Sequence, residues 1–166
     1  SRRECSGLVD PRDSHDVDPP TVRELVERLG AALELRVVAG ENNLDTHVLS
    51  AQIQKPGLIL AGLFEYLDPR RVQIIGRSES RYLSERPVKG DRICKRLCGG
   101  DPPAFIVTLG NEPPPALAEG CRQRGIPLLT TPRTTGDTIE LLYHFLAVRL
   151  APGVKVHGVL VDVFGL

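Results

Sequence analysis

Four histidines and four cysteines are the side chains most able to do chemistry in this chain of 166 residues. No two of His15, His47, His144 and His157 stand at the short spacing of a metal-ligand pair. His15 lies in a polar leader, His144 on a helical stretch, and His47 close to Asp45 in a loop, where it can hydrogen-bond locally. His157 differs. It sits in Val154-Lys155-Val156-His157-Gly158-Val159-Leu160-Val161-Asp162-Val163, a β-rich apolar run carrying two ionisable groups. A half-buried histidine titrating near neutrality can act as acid, base or partner of a phosphate charge, and Asp162 can supply a carboxylate beside a reaction centre. Spacing alone favours the plainer reading, a strand end with a hydrogen-bonded histidine.

The cysteines Cys5, Cys94, Cys98 and Cys121 contain one C-x3-C pair but no second pair or histidine pair to complete a tetrahedral zinc site, so they read as reduced thiols. Neither G-x-G-x-x-G nor G-x-x-x-x-G-K-[ST] occurs. Gly99-Gly100, followed by Asp101-Pro102-Pro103, reads as a turn rather than a phosphate cradle. Gly76-Arg77-Ser78-Glu79-Ser80 places a serine in an expected loop, without the strand-turn-helix setting that exposes a nucleophile. The seventeen arginines are dispersed, and the Arg70-Arg71 doublet after Asp68-Pro69 reads as a solvated turn.

The elements that must position these groups follow from periodicity. Residues 1–20 hold charges and prolines with almost no periodic apolar residue, which predicts a disordered tail. Thr21-Val22-Arg23-Glu24 is a capping box, and Val22, Leu25, Val26, Leu29 and Leu33 keep helical spacing, so a first helix runs to about Leu33. Short β-rich runs at 35–38, 48–53, 72–75, 105–109 and 128–131 are closed by Gly or Pro and suit a sheet covered on both faces. Glu112-Pro113-Pro114-Pro115 opens a helix whose inward stripe is Leu117 and Cys121, with Gly125 as its C-cap. A last helix is expected from a box of Asp137 and Glu140, with Ile139, Leu142, Tyr143, Leu146 and Leu150 on one face, ending before Pro152-Gly153. Alternation of strand and helix predicts an α/β fold, a small parallel or mixed sheet flanked by helices.

Composition excludes whole function classes. Lys plus Arg equals Asp plus Glu, 21 each, and the sequence pI is about 6.9, so the field that gathers nucleic acid or anionic lipid is absent. No run approaches the roughly 18 apolar residues of a membrane span, and the first twenty residues lack the apolar run of a signal peptide. A cytoplasmic protein with no nucleic-acid or membrane partner is expected. The first residue is not Met, and an apolar run ends on Phe164-Gly165-Leu166, which suggests a piece of a longer reading frame.

Four segments carry a family resemblance: Ile53-Gln54-Lys55-Pro56-Gly57-Leu58-Ile59-Leu60-Ala61-Gly62, Val72-Gln73-Ile74-Ile75-Gly76-Arg77-Ser78-Glu79, Ile106-Val107-Thr108-Leu109-Gly110-Asn111-Glu112-Pro113-Pro114, and Val156-His157-Gly158-Val159-Leu160-Val161-Asp162-Val163-Phe164-Gly165. In order and spacing, Thr21 to Leu166 resembles the N-terminal half of bacterial HPr kinase/phosphorylase. Gln54-Lys55 stands where the family commonly has Asn-Arg, and Arg86 to Gly100 matches poorly.

The resemblance implies a bifunctional enzyme that phosphorylates a serine of the phosphocarrier HPr with ATP or pyrophosphate and removes it by phosphorolysis. It further implies a magnesium-dependent, typically hexameric homo-oligomer acting on HPr and controlling carbon metabolism. The N-terminal domain would be similar to a Mur ligase domain, and His157 would match the family's active-site histidine. The expected domains are a tail at 1–20, a regulatory α/β domain at 21–150, and the first strand of the kinase domain at 151–166. ATP and Mg2+ would then belong to a P-loop beyond Leu166, with no cofactor held by this chain, which would be inactive alone. The alternative is a non-catalytic, DRTGG-like sensing or interaction module, for which Thr134-Thr135-Gly136 offers partial loop material.

Overall fold

The computed structural model describes residues 18–152. His15, Cys5, His157, Asp162 and the run from Val154 to Leu166 lie outside the described residues, as does most of the expected tail. Residues 18–20 are ordered, so the tail expectation does not extend to them: the Pro20 carbonyl accepts from Val48 N at 2.8 Å, and Pro19 O lies 2.8 Å from His47 Nδ1.

Among the described residues, six α-helices and four strands follow in the order α1 (Val22–Leu33), β1 (Arg36–Ala39), α2 (Gly57–Leu60), β2 (Gln73–Ile75), α3 (Arg77–Glu85), α4 (Pro87–Gly99), β3 (Phe105–Val107), α5 (Pro115–Arg124), β4 (Leu128–Thr130) and α6 (Thr135–Leu150). The sheet order is β1-β4-β3-β2; β2, β3 and β4 are parallel and β1 runs antiparallel to β4. This is the mixed α/β sheet expected from the alternating pattern.

The three parallel strands are apolar on both sides because both faces are covered. On one face Ile75, Phe105, Val107 and Leu128 pack with Leu83 of α3, Leu97 of α4 and Leu117 of α5. On the other, Ile74, Ile106 and Leu129 pack with Val22 and Leu25 of α1 and Leu142 and Leu146 of α6. Gly40 turns the chain after β1 with φ +73°, and a Cβ there would stand 2.4 Å from the Ile126 carbonyl, so only glycine fits.

The Thr21 box forms: Thr21 Oγ1 accepts from Glu24 N at 3.1 Å, and the Glu24 carboxylate also clamps Arg149 of α6 at 2.5 and 3.0 Å. Helix α5 begins at Pro115, buries Leu117 and Cys121, and ends at Gly125 with φ +67°. Four expectations need correction. Residues 48–53 form no strand; Val48 is buried and only Gln54 bridges to Gln73, because Pro20 and Val72 take the neighbouring amides individually. Helix α6 is capped by Thr134, whose Oγ1 accepts from Asp137 N, so the box lies three residues upstream of Asp137-Glu140. Tyr143 points outward and Phe145 packs inward in its place. The stretch 77–99, partly read as loop, is two helices.

Candidate functional site at the carboxyl ends of the strands

The parallel strands deliver three connections to one edge of the sheet. After β3 the chain goes to α5 on one face, and after β4 it goes to α6 on the other. Adjacent strands whose connections diverge open a crevice between them, the usual place for ligands in open α/β sheets.

Gly76 ends β2 and starts α3. Its N–H donates to Glu79 Oε2 at 3.0 Å, and Glu79 Oε1 lies 3.6 Å from Lys55 Nζ. Glu79 is buried. Its carboxylate is held by a backbone amide, a lysine and the dipole of α3, the three partners a buried anion needs. A Cβ on Gly76 would stand 2.9 Å from Glu79 Oε2 and 3.1 Å from Thr135 Oγ1, so glycine is required by close approach here. Across from it, Thr108 after β3 and Thr135 at the start of α6 share a hydroxyl hydrogen bond of 2.7 Å. Thr108 O accepts from Asn111 Nδ2 at 2.9 Å.

Between these sits a strained connection. Leu109 and Gly110 are both left-handed, φ +62° and +66°, and are pinned by Leu109 N to Arg133 O at 2.9 Å and Gly110 N to Thr131 O at 3.0 Å. A leucine in this region costs energy that the surrounding bonds must repay, a pattern common at ligand sites. Beside it opens a cleft of about 540 Å³ lined by Arg36, Val38, Asn111, Glu112 and Thr130 among others.

The crevice presents hydrogen-bonding groups: a carboxylate, two hydroxyls and a carboxamide. The Glu79 carboxylate already fills the N-terminus of α3, so a phosphate there would meet a buried negative charge. No group of three or more His, Cys, Asp or Glu able to hold a metal occurs among the described residues. Ser78 is in a strand-turn-helix setting after all, on the first turn of α3, yet its hollow is shared with Gly57, Leu60, Ala61, Glu79 and Tyr82, with no histidine in that lining.

The residues singled out in the sequence scatter. His47 bonds to Pro19 O as a loop group, and His144 is exposed on α6. Arg70 and Arg71 both engage Asp68, which the hydrogen bonds of Arg70 first, and then the charges of both arginines, hold at a pKa of about 2. Gly99 closes α4 and Gly100 caps it, so no phosphate cradle forms. Cys94, Cys98 and Cys121 are free and buried in the core. Glu79 and Thr108 were not singled out in the sequence as site residues, and Thr135 entered only as part of the Thr134-Thr135-Gly136 loop; a Glu three residues after a glycine at a strand end was the available signal for the first.

The family model described as HPr Serine kinase N terminus matches residues 21–146. The chain belongs to the HPr serine kinase N-terminal family. HPr kinase/phosphorylase of Geobacter sulfurreducens is 40% identical over 146 residues, covering 87% of this chain and 46% of that protein. The proteins of the same name from Halalkalibacterium halodurans and Levilactobacillus brevis are each 35% identical, over 147 and 149 residues, and each match covers 88% of this chain and 46% of the relative. The chain thus spans a little under half the length of these curated relatives. A solved structure of the CBS and DRTGG domains of the regulatory region of Clostridium perfringens pyrophosphatase aligns over 71% of this chain and 45% of that one, at 20% identity and a TM-score of 0.45. Among the described residues no helix is long and apolar enough to cross a membrane.

Proposed function

We propose that this chain is the N-terminal, regulatory part of an HPr kinase/phosphorylase, which in its full length phosphorylates a serine of HPr with ATP or pyrophosphate and reverses the step by phosphorolysis. The observation that carries the reading is the family match over 21–146 together with relatives of that name at 35–40% identity. HPr is the partner on this reading, and a cytoplasmic homo-oligomer, a hexamer, is the assembly. Residues 151–166 enter the kinase half, where His157 is the active-site histidine. Phosphoryl transfer needs a phosphate cradle, a metal and a base on the acceptor hydroxyl. On this reading the cradle and the metal belong to the kinase half, so the chain alone is inactive and the crevice beside Thr108 and Thr135 serves binding.

The test is an HPr phosphorylation assay with ATP or pyrophosphate and Mg2+, run on this chain and on the protein read through the source gene beyond Leu166. Serine phosphorylation by the longer protein alone, lost on His157→Ala, is expected. Activity in neither protein would overturn the kinase reading; activity in the short chain would overturn the regulatory one.

A further inference from the structure

The C-x3-C pair remains unused by this function. It puts Cys94 and Cys98 one turn apart on α4, facing Cys121 of α5 in the core. A Cβ on Gly120 would stand 2.7 Å from Cys98 Sγ and 3.4 Å from its Cβ, so the α5 backbone lies directly against the Cys98 side chain, one residue before Cys121. Cys98 and Cys121 are both buried in the same core cluster between the two helices. The Gly120 contact therefore puts Cys98 Sγ against the turn of α5 that carries Cys121, and a disulfide between them would need only short side-chain adjustments.

We propose that Cys98 and Cys121 are a redox couple, oxidised by a small hydroperoxide to a disulfide that ties α4 to α5. Cys98 reacts first. Its thiol titrates below the ordinary range because the Cys121 thiol donates to it and the Arg124 guanidinium stands near, itself held by Asp101 through two bonds of 3.0 and 2.8 Å. Cys94 stays a thiol, pushed up to about 12 chiefly by burial.

The Cys98 thiolate attacks the terminal oxygen of the hydroperoxide, displacing its alkoxide, or hydroxide when the oxidant is hydrogen peroxide, and becomes a sulfenic acid. Cys121 sulfur then attacks that sulfur, and the departing oxygen leaves as water. Two thiols and one hydroperoxide give one disulfide, one water and the alcohol of the peroxide, or two waters from hydrogen peroxide. Cys98 and Cys121 are 1% and 0% exposed, so a water-sized oxidant is selected over a bulky disulfide reagent. Gly99, the next residue of α4, is exposed with open space beside it, whereas Leu67 covers Gly100.

The test exposes the whole chain to hydrogen peroxide, alkylates it under denaturing conditions and maps the peptides. The expected product is a Cys98–Cys121 linked pair, retained in C94A and absent in C121A, where Cys98 is instead trapped as sulfenic acid by dimedone. In the native, unoxidised chain a bulky aromatic disulfide should label none of the three core thiols. Full alkylation of all three after peroxide, or linkage through Cys94 or Cys5 instead, would overturn the proposal. The map of the unsubstituted chain decides the matter even if C121A fails to fold.

Discussion

At the residue scale, Glu79 shows a buried charge acting as a fastener. Its carboxylate caps the Gly76 amide and meets Lys55, joining the loop before α2 to the start of α3. Glu79→Ala leaves the Gly76 N–H buried without an acceptor and should cost about 1–3 kcal/mol, whereas Glu79→Gln, which still offers an amide oxygen, should lose less. Urea unfolding of both variants checks this, and equal losses would contradict the capping role. Asp68 makes a pH prediction. Its pKa is about 2 in the folded chain against an ordinary 3.8, so its contribution is complete above about pH 4 and disappears as pH falls through 2. That contribution is at most about 2 kcal/mol, reduced by solvent around the exposed Arg70. Asp68→Asn should flatten the acid limb of the stability–pH curve and leave its neutral side level. The Arg70-Arg71 turn was legible because Asp68-Pro69 precedes it. Glu79 was not, because Arg77-Ser78-Glu79-Ser80 carries no apolar period.

At the element scale, caps placed helices better than stripes did. The first helix and α5 were legible from Thr21-x-x-Glu24 and from Pro115 with Gly125, since these residues act on their own backbone. Helix α6 was misplaced by three residues because Asp137-x-x-Glu140 imitates a box, while Thr134 reaches Asp137 N first. Thr134→Ala should therefore cost about 1 kcal/mol, whereas Asp137→Asn should cost less than half of that, readable in thermal melts. Arg149 joins α6 to α1 through Glu24, and the pair is about a quarter exposed. Arg149→Ala should loosen the end of α6 and speed amide exchange over 145–150 without altering α5. Residues 48–53 have strand composition yet form none, since a strand exists only where a neighbour offers its amides in register.

At the scale of the whole molecule, two cores on opposite faces share a single four-stranded sheet, so the two should melt together. Phe105→Ala on one face and Ile106→Ala on the other should each cost about 2–5 kcal/mol and lower the same single transition, seen identically by far-UV circular dichroism and by calorimetry. Separate transitions would mean that the faces fold independently. The sequence by itself determined the α/β class, the positions of all four strands, the helices with strong caps and the family, because these rest on local periodicity, capping chemistry and residue order. Tertiary structure alone decided that β1 runs antiparallel beside β4, that α5 and α6 part to opposite faces, and that Lys55, Glu79, Thr108 and Thr135 meet at one edge. Those residues are up to eighty positions apart, and no local preference of the chain encodes which of its distant segments become neighbours when the sheet closes.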